Sequence, residues 1–183
     1  MARSRYKIYE EEYPYFITSS INSGLPLFGI PKAADIVLNS LEFLRTERDV
    51  KVIAYVIMED HFHAILQGRN LAVKIGSFKS FTAHEIINLF QQMGRKRILT
   101  RLRKSKKTHK IDQVHQLWQE GFHPKQIVSD NMMIQKIEYI HANPVKKGYV
   151  DEVIHWRYSS ARNYFGMGGI IPVDLYQGRG APR

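Results

Sequence analysis

The chain contains no cysteine, which excludes disulfide bonds and thiolate zinc sites. It also lacks a long hydrophobic run, since no uncharged apolar segment approaches the roughly 18 residues that a membrane span needs. The basic first residues are not followed by the apolar core of a signal peptide. With 183 residues, 44% of them hydrophobic, the chain can bury the core of one compact domain. These features predict a soluble, cytoplasmic protein with no membrane partner.

Acidic residues are missing from one stretch of the chain, between Glu85 and Asp112. Nine basic residues fall there, against a formal net charge of +10 for the whole chain. They are Arg95, Lys96, Arg97, Arg101, Arg103, Lys104, Lys106, Lys107 and Lys110. A concentrated positive patch suits a polyanion, because neutralising phosphates releases condensed counterions. A solvated basic helix and loop would have the same composition, but we favour nucleic-acid binding.

The pattern of apolar residues predicts an α+β protein. Runs rich in β-branched and aromatic residues predict strands over 13–21, 51–58 and 61–67. Helical spacing of apolar residues predicts helices over 31–48, 82–103 and 129–142. Residues 113–124 are expected to form a short strand with turns. The order strand, helix, strand, strand, helix is close to the ferredoxin-like arrangement, an antiparallel sheet with helices packed on it.

Three local signals predict where these helices begin and end. Thr82 could cap the second helix, since Glu85 follows at the spacing of a capping box. Ser129 or Asp130 can cap the third helix. The dipeptide 143–144, Asn-Pro, should end that helix, because the residue before a proline is pushed out of the α region.

Two histidines, His61 and His63, stand two residues apart on a predicted strand. Side chains alternate faces along a strand, so both rings point the same way, about 6.5 to 7 Å apart along the chain. Two imidazoles so placed can bind one metal ion while Phe62 faces the core. A half-buried strand whose polar face happens to carry two histidines would look the same. Glu59 or Asp60 could hydrogen-bond to a histidine or simply form the turn, and we expect the turn role.

Tyr139 lies on the predicted third helix, and Asn143 follows it by one helical turn, so both can face the same site. A tyrosine can act as a covalent nucleophile when its phenol is deprotonated or when a metal activates the target phosphate. Periodicity alone does not select Tyr139 among the ten tyrosines of the chain. Asn143, likewise, is first of all a helix terminator.

Three segments resemble the HUH tyrosine transposases, small insertion-sequence enzymes, and in particular their REP-associated relatives. Residues 55–66 (YVIMEDHFHAIL) match the apolar run, the turn and the His-hydrophobic-His pattern of the family. Residues 139–150 (YIHANPVKKGYV) match its Tyr-Ile-x-x-Asn-Pro-Val helix and the basic-Gly step that follows. Residues 156–162 (WRYSSAR) match its Trp-x-Tyr-Ser-Ser motif. Order and spacing agree over about residues 13–165, so the three motifs together are a specific signal.

The resemblance implies a role for each matching residue. His61 and His63 would be the metal ligands, and Tyr139 would be the nucleophile that forms a 5′-phosphotyrosine link to DNA. Asn143 stands where relatives place a polar side chain and would be the third ligand. His141 is not expected to be a ligand, since it points elsewhere on the helix.

The identity of the metal is a point of tension. Imidazole ligands by themselves favour zinc, nickel or copper. The resemblance implies Mg²⁺ or Mn²⁺ instead, with substrate phosphate and water completing an oxygen-rich shell, and we follow it. One departure concerns the turn before the histidines, where Glu59 and Asp60 stand in place of the proline and asparagine common in relatives. It should change the stiffness and charge of the turn more than metal ligation.

The resemblance therefore implies a transposase, an endonuclease that nicks and rejoins single-stranded or hairpin DNA, with the basic stretch up to Lys107 contacting phosphates. We expect one such domain over 1–165 and a weakly ordered, glycine-rich tail over 166–183. A homodimer is compatible with the resemblance, because insertion-sequence members work as dimers whereas REP-associated relatives can be monomers.

Two other function classes remain open at this stage. A non-catalytic hairpin-binding relative would bind DNA without a metal and would not cleave it. A ferredoxin-like endoribonuclease would use a histidine as acid and base on RNA, and a chelator would leave its activity unchanged. The second alternative leaves the segment 139–150 without a role.

Overall fold

The computed structural model describes residues 8–178 and contains a four-stranded antiparallel sheet in the order β2-β3-β1-β4. The strands are β1 (Tyr15–Ser20), β2 (Lys51–Ile57), β3 (His61–Gln67) and β4 (Lys125–Gln126). The helices are α1 (Pro31–Glu47), α2 (Leu71–Gln92), α3 (Lys96–Lys104), α4 (Asp130–Lys146) and α5 (Ala161–Tyr164). Short 3₁₀ turns span Asn22–Gly24, Leu27–Gly29 and Val153–His155. The predicted α+β, ferredoxin-like sheet with helices packed on it is confirmed.

The two faces of the sheet are covered by different helices. Phe62 and Leu66 of β3 pack into a large core with residues of α1 and α2. Ile65 belongs to the opposite face, where Ile137 and Ile140 of α4 pack against the sheet. Strand alternation therefore turns the odd-numbered residues of β3 toward α4.

The second helix begins and ends earlier than the sequence predicts. It starts at Leu71, and Thr82 lies fully buried in its interior rather than at its N-terminus. The Thr82 hydroxyl donates to the carbonyl of Phe78 (2.8 Å) and accepts from Nε1 of Trp118 (3.0 Å). The capping-box prediction is wrong, because Thr82 lies inside the helix and its hydroxyl accepts a hydrogen bond from the buried Trp118 instead of capping the N-terminus. The helix ends before Gly94, whose φ of +64° separates α2 from α3.

The C-terminus of α4 also differs from the prediction. Ser129 caps the start as predicted, since its hydroxyl accepts from the amide of Met132 (3.2 Å). The helix nevertheless continues through Pro144 to Lys146. Gly148, with φ +72°, donates to the carbonyl of Val145, and Tyr149 donates to that of Pro144. These paired bonds form a Schellman motif, which ends the helix later than the proline does.

Residues 113–124 form no regular strand, although Trp118 makes an isolated antiparallel bridge to Ile21 beyond the end of β1. Within residues 8–178, no helix is both long and apolar enough to cross a bilayer.

The structure differs from the sequence-based expectation for the described part of the C-terminal tail. Asp174 forms two hydrogen bonds with Val52 near the start of β2. Its backbone amide donates to the carbonyl of Val52, and its carboxylate accepts from the Val52 amide. The same carboxylate pairs with Arg45 of α1 (3.1 Å), and Ile171 is buried. The expectation of weak order was based on the glycine content of the tail, which gives no information about the contacts of Asp174 and Ile171. Residues 179–183 of the predicted tail lie outside the described residues.

The segment 156–160 covers the outer edge of β2. Ser159 forms a bridge to Val56, and Nε1 of Trp156 donates to the carbonyl of Ile57 (2.9 Å). The Ser160 hydroxyl donates to the carbonyl of Tyr55 (3.2 Å) and accepts from the Tyr55 amide (2.9 Å). The Trp-x-Tyr-Ser-Ser motif thus pairs an otherwise open sheet edge.

His141 of α4 is held against this segment. Its Nε2 lies 2.9 Å from the Ser160 hydroxyl, whose hydrogen already goes to a backbone carbonyl, so the ring nitrogen donates. Burial lowers the pKa of His141 from 6.5 to about 4. The native protein therefore keeps this imidazole neutral.

We expect the buried neutral His141 to make the protein acid-sensitive. In the unfolded chain His141 takes up a proton as the pH falls below 6.5, whereas in the folded protein it does so only near pH 4. The free energy of unfolding therefore falls as the pH falls through this window. At pH 5 the loss due to this residue is about 2 kcal/mol. His141→Gln should lose less stability between pH 7 and pH 5 than the wild type, as measured by urea denaturation. Equal losses in both proteins would contradict the assignment.

Candidate active site

The predicted pair of histidines lies side by side on the α4 face of the sheet. The ring centroids of His61 and His63 are 4.9 Å apart, with the ring planes at 70°. His63 is buried, whereas His61 lies at the end of β3 and is partly exposed. Strand alternation alone produces this juxtaposition, as the i, i+2 spacing predicts.

Each histidine has a partner at its Nδ1 atom. Asp60 Oδ1 lies 2.6 Å from Nδ1 of His61. Thr18 Oγ1 lies 2.8 Å from Nδ1 of His63, and the two residues face each other in the β1–β3 register. The turn residue Asp60 therefore also orients a histidine. Because both Nδ1 atoms are engaged, both rings keep Nε2 available for a ligand.

His63 stays neutral over the physiological range. Burial lowers its pKa from 6.5 to about 3, and the nearby His61 and Lys136 act in the same direction. A neutral imidazole is the form that binds a metal ion.

Tyr139 is brought to the histidines by α4. Its ring centroid lies 5.4 Å from that of His63 and 5.8 Å from that of Phe16, in edge-to-face geometry in both cases. Phe16 in turn stacks on His63 at 5.2 Å. Tyr139 is 39% exposed, so a large substrate can reach the phenol while the ring stays packed. The sequence-predicted residues from β3 and α4 therefore meet.

Two lysines to which the sequence analysis assigned no role flank Tyr139: Lys136, which lies outside the three motifs, and Lys146, which belongs to the basic-Gly step of the second motif. Lys136 Nζ lies 4.8 Å from the ring centroid of Phe16 and 5.4 Å from that of Tyr139. Lys146 Nζ lies 5.7 Å from the Tyr139 ring centroid. Burial and the nearby Lys125 lower the pKa of Lys136. The sequence could have predicted both lysines, because Lys136 is three residues before Tyr139 and Lys146 is seven residues after it, spacings that share one side of a helix.

Asn143 is buried one turn beyond Tyr139, and its amide donates to the carbonyl of Tyr139 (3.2 Å). No hydrogen bond joins Asn143 to His61 or His63 within the described residues. That part of the chain also contains no group of three histidine, cysteine or carboxylate side chains that could hold a metal ion. The chain thus presents two imidazole nitrogens side by side, which fits a metal that takes its remaining ligands from an amide oxygen, water or substrate.

The basic stretch lies on the other side of the sheet. Leu102 of α3 belongs to the core formed with α1 and α2. The exposed members of the stretch are Arg95, Lys96, Arg97, Arg101, Arg103, Lys104 and Lys107. Lys107 is paired with Glu120 (2.7 Å), whereas Lys106 is half-buried and donates to the carbonyl of Lys110. The sequence-predicted patch therefore does not adjoin Tyr139 on the sheet surface.

One loop nevertheless connects the basic stretch to the histidines. Asn22 Nδ2 donates to the carbonyl and hydroxyl oxygens of Ser105, directly after α3 (2.9 and 3.0 Å). Asn22 follows β1, and Ser20 at the end of β1 pairs with His61. The C-terminal end of α3 and His61 consequently share one end of the sheet.

We predict that neutral His61 carries its proton on Nδ1, because a carboxylate at Asp60 only accepts. Long-range ¹H–¹⁵N NMR of histidine-labelled protein above pH 8 should report a predominantly Nδ1–H tautomer for His61. Asp60→Asn removes the carboxylate and should lower the Nδ1–H fraction. His63, whose hydroxyl partner can donate or accept, is the internal control. A predominantly Nε2–H His61 in the wild type would contradict this geometry.

No protein-family profile matches the chain. Among curated proteins, the chain is similar to a Haemophilus influenzae protein named as a REP-associated tyrosine transposase, with 29% identity over 114 residues. The match covers 60% of this chain and 58% of that protein, so the chain spans less than two thirds of the curated relative.

One solved structure shares the fold of this chain. A REP-associated tyrosine transposase bound to a REP hairpin matches with a TM-score of 0.64 and 18% identity, over 100% of this chain and 98% of that one. A Deinococcus radiodurans structure assigned as a transposase has a TM-score of 0.46 and 18% identity, over 76% and 95% of the two chains. The resemblance predicted from the three motifs is confirmed: the chain is similar to REP-associated tyrosine transposases.

Proposed function

We propose that the protein is a transposase that nicks and rejoins single-stranded DNA through a covalent bond to Tyr139. The observation that carries the proposal is the packing of Tyr139 against His63, 5.4 Å between ring centroids, with His61 beside it. A partly exposed phenol next to two orientated imidazoles unites a nucleophile and a metal-binding pair in one site. The similarity to a REP-associated tyrosine transposase supports the same function.

The Nε2 atoms of His61 and His63 would hold Mg²⁺ or Mn²⁺, and the side-chain oxygen of Asn143 is our candidate for a third ligand. When bound, such an ion polarises the scissile phosphate and stabilises its developing charge. Asp60 and Thr18 keep the two rings in the orientation that presents Nε2.

The reaction is a transesterification at phosphorus. The Tyr139 oxygen forms a bond to the phosphorus and loses its proton to solvent, while the bond from phosphorus to the 3′ oxygen breaks. The departing 3′ oxygen takes up a proton and becomes a hydroxyl. Lys136 and Lys146 lie within 6 Å of the Tyr139 ring and supply positive charge for the approaching phosphate. The phosphotyrosine bond conserves the phosphodiester, so a 3′ hydroxyl of another strand can reverse the step and join a new end.

The proposed substrate is single-stranded DNA next to a hairpin. The solved neighbour is bound to a REP hairpin, and the exposed basic residues of α3 offer phosphate contacts to a similar ligand here. Such contacts are made to phosphates and not to base edges, so they would orient the DNA rather than select its sequence.

Covalent attachment of DNA tests the proposed chemistry directly. Wild-type protein incubated with a 3′-labelled single-stranded hairpin and Mn²⁺ or Mg²⁺ should form an adduct that survives a denaturing gel. Tyr139→Phe should form none, because it lacks the attacking oxygen. Chelator or His63→Ala should also remove the adduct, whereas the control Tyr9→Phe, at a highly exposed position, should keep it.

The outcomes separate the rival classes. An adduct in Tyr139→Phe would contradict the nucleophile assignment. Binding without any adduct in the wild type would favour a non-catalytic hairpin-binding protein. Chelator-resistant cleavage of an RNA hairpin would favour an endoribonuclease.

The salt dependence of binding tests the role of α3. Replacing Arg101 and Arg103 together with glutamine should weaken hairpin binding at low salt and reduce the slope of log K against log salt by about 1 for each phosphate that an arginine had neutralised. Lys107→Gln is the matched control, because Glu120 already neutralises that lysine. Anisotropy titrations at salt concentrations from about 50 to about 200 mM would measure both slopes. Equal slopes in the double variant and the wild type would exclude α3 from the DNA interface.

A further inference from the structure

A small pocket opens directly beside His61. Its walls are the loop at Gly24 and Pro26, the turn at Glu59 and Asp60, and the residues after α4, including Tyr149. None of these walls has a role in the proposed attack by Tyr139, although Asp60 orients His61.

One wall of the pocket, Tyr149, is an aromatic ring that its neighbours hold in place. Tyr149 stacks on Trp156 with a centroid distance of 5.4 Å and an interplanar angle of 26°. Trp156 is anchored through Nε1 to the carbonyl of Ile57, and the Tyr149 hydroxyl donates to Glu59 Oε2 (3.0 Å). Tyr149 is still 42% exposed. Its orientation is thus set by contacts on one side, and a planar group can stack on the ring without rearrangement.

The way in which α4 ends explains why Tyr149 is there. The Schellman motif closes the helix with Gly148 in the left-handed region, and the next amide, that of Tyr149, donates back to the carbonyl of Pro144 (2.9 Å). The chain leaves the helix at an angle fixed by these two bonds. Tyr149 therefore reaches the turn between β2 and β3 and contacts Glu59.

The two carboxylates that line the pocket, Glu59 and Asp60, favour a ligand that carries hydrogen-bond donors. Glu59 is exposed and uses one carboxylate oxygen for Tyr149, so the other can accept. Asp60 uses Oδ1 for His61, while its Oδ2 is directed toward Gly24, 3.8 Å from where a Cβ on that glycine would lie. Amino groups on bases donate to such carboxylates, as cytosine N4 does to Glu and Asp. Lys147 also lines the pocket and can contact the phosphate of a nucleotide bound there.

We propose that this pocket binds an unpaired nucleobase that carries an amino group, adenine, cytosine or guanine rather than thymine, next to the phosphate that Tyr139 attacks. The base stacks on Tyr149 and donates from its amino group to Glu59. This inference rests on the proposed function for the identity of the DNA, but it concerns recognition rather than bond cleavage.

Binding without chemistry tests the pocket. The probes are fluorescein-labelled hairpins with a four-nucleotide single-stranded extension on the 5′ or 3′ side, all thymine or with one adenine, cytosine or guanine at each position. The protein carries Tyr139→Phe, and chelator is present, so no adduct can form. Anisotropy then gives the Kd of each probe for this protein and for variants in the pocket.

Tyr149→Ala should weaken binding of the best amino-bearing probe by about 5- to 100-fold, the range expected for removal of one base stack. Its salt slope should not change, because stacking releases no counterions. Tyr149→Phe keeps the ring and should stay within about threefold of the parent. Tyr9→Ala, which removes an exposed tyrosine elsewhere, should bind like the parent. Glu59→Leu, which has no hydrogen-bond acceptor, should reduce the preference for an amino-bearing base over thymine from at least about fivefold to below about twofold.

Each outcome decides between the proposals. Equal Kd values for Tyr149→Ala and Tyr9→Ala, with unchanged melting temperatures, would overturn the pocket and leave the nicking activity intact. No base preference in the parent, or a preference that survives Glu59→Leu, would overturn the amino-group specificity. Base-dependent binding by a wild-type protein that forms no adduct would support the pocket and overturn the nicking function. Absence of any DNA binding would overturn both.

Discussion

The antiparallel register between β1 and β3 decides which side chains can meet at the candidate site. Thr18 stands opposite His63, so its hydroxyl reaches Nδ1 of that histidine. The same register sends Phe62 into the core with α1 and α2. A slip of one residue would turn both histidines into that apolar core and would place the phenylalanine on the α4 face instead. The burial of apolar residues on β3 therefore fixes the histidine pair without any contribution from a metal ion.

Helix α4 then carries the remaining groups of the site on one rigid element. Its apolar side, with Ile137 and Ile140, packs on the sheet, and this leaves Tyr139 at the flank, against His63. Both ends of the helix are closed, by the Ser129 cap and by the Schellman motif at Gly148. Because Ile137 and Ile140 are packed against the sheet, the position of Tyr139 along β3 is set by packing rather than by substrate.

The sequence predicts those parts of this arrangement that depend on neighbours along the chain. The period of two on β3 is enough to place His61 beside His63, whereas the Thr18 contact needs a strand register that joins residues 45 positions apart. The packing of Tyr139 on His63 likewise depends on which sheet face α4 covers, and only the family resemblance pointed to it. Thr82 shows the opposite failure, because a local capping pattern was overridden by a hydrogen bond from the distant Trp118.

The loop after β1 gives the two charged regions of the protein a common boundary. The basic residues of α3 and the acidic turn before His61 lie on different sides of the sheet, and phosphates and amino-bearing bases prefer opposite signs of charge. Asn22 in this loop holds Ser105 after α3, while Gly24 lines the pocket beside Glu59 and Asp60. Ser23 and Gly24 both have positive φ, 60° and 59°, which keeps the connection tight. A strand whose phosphates contact α3 could therefore cross this one loop to place a base in the pocket and the next phosphate at Tyr139. The basic surface of α3 would then contact the DNA phosphates, and the acidic residues Glu59 and Asp60 would contact a base, so backbone and base would be bound at different places before Tyr139 attacks.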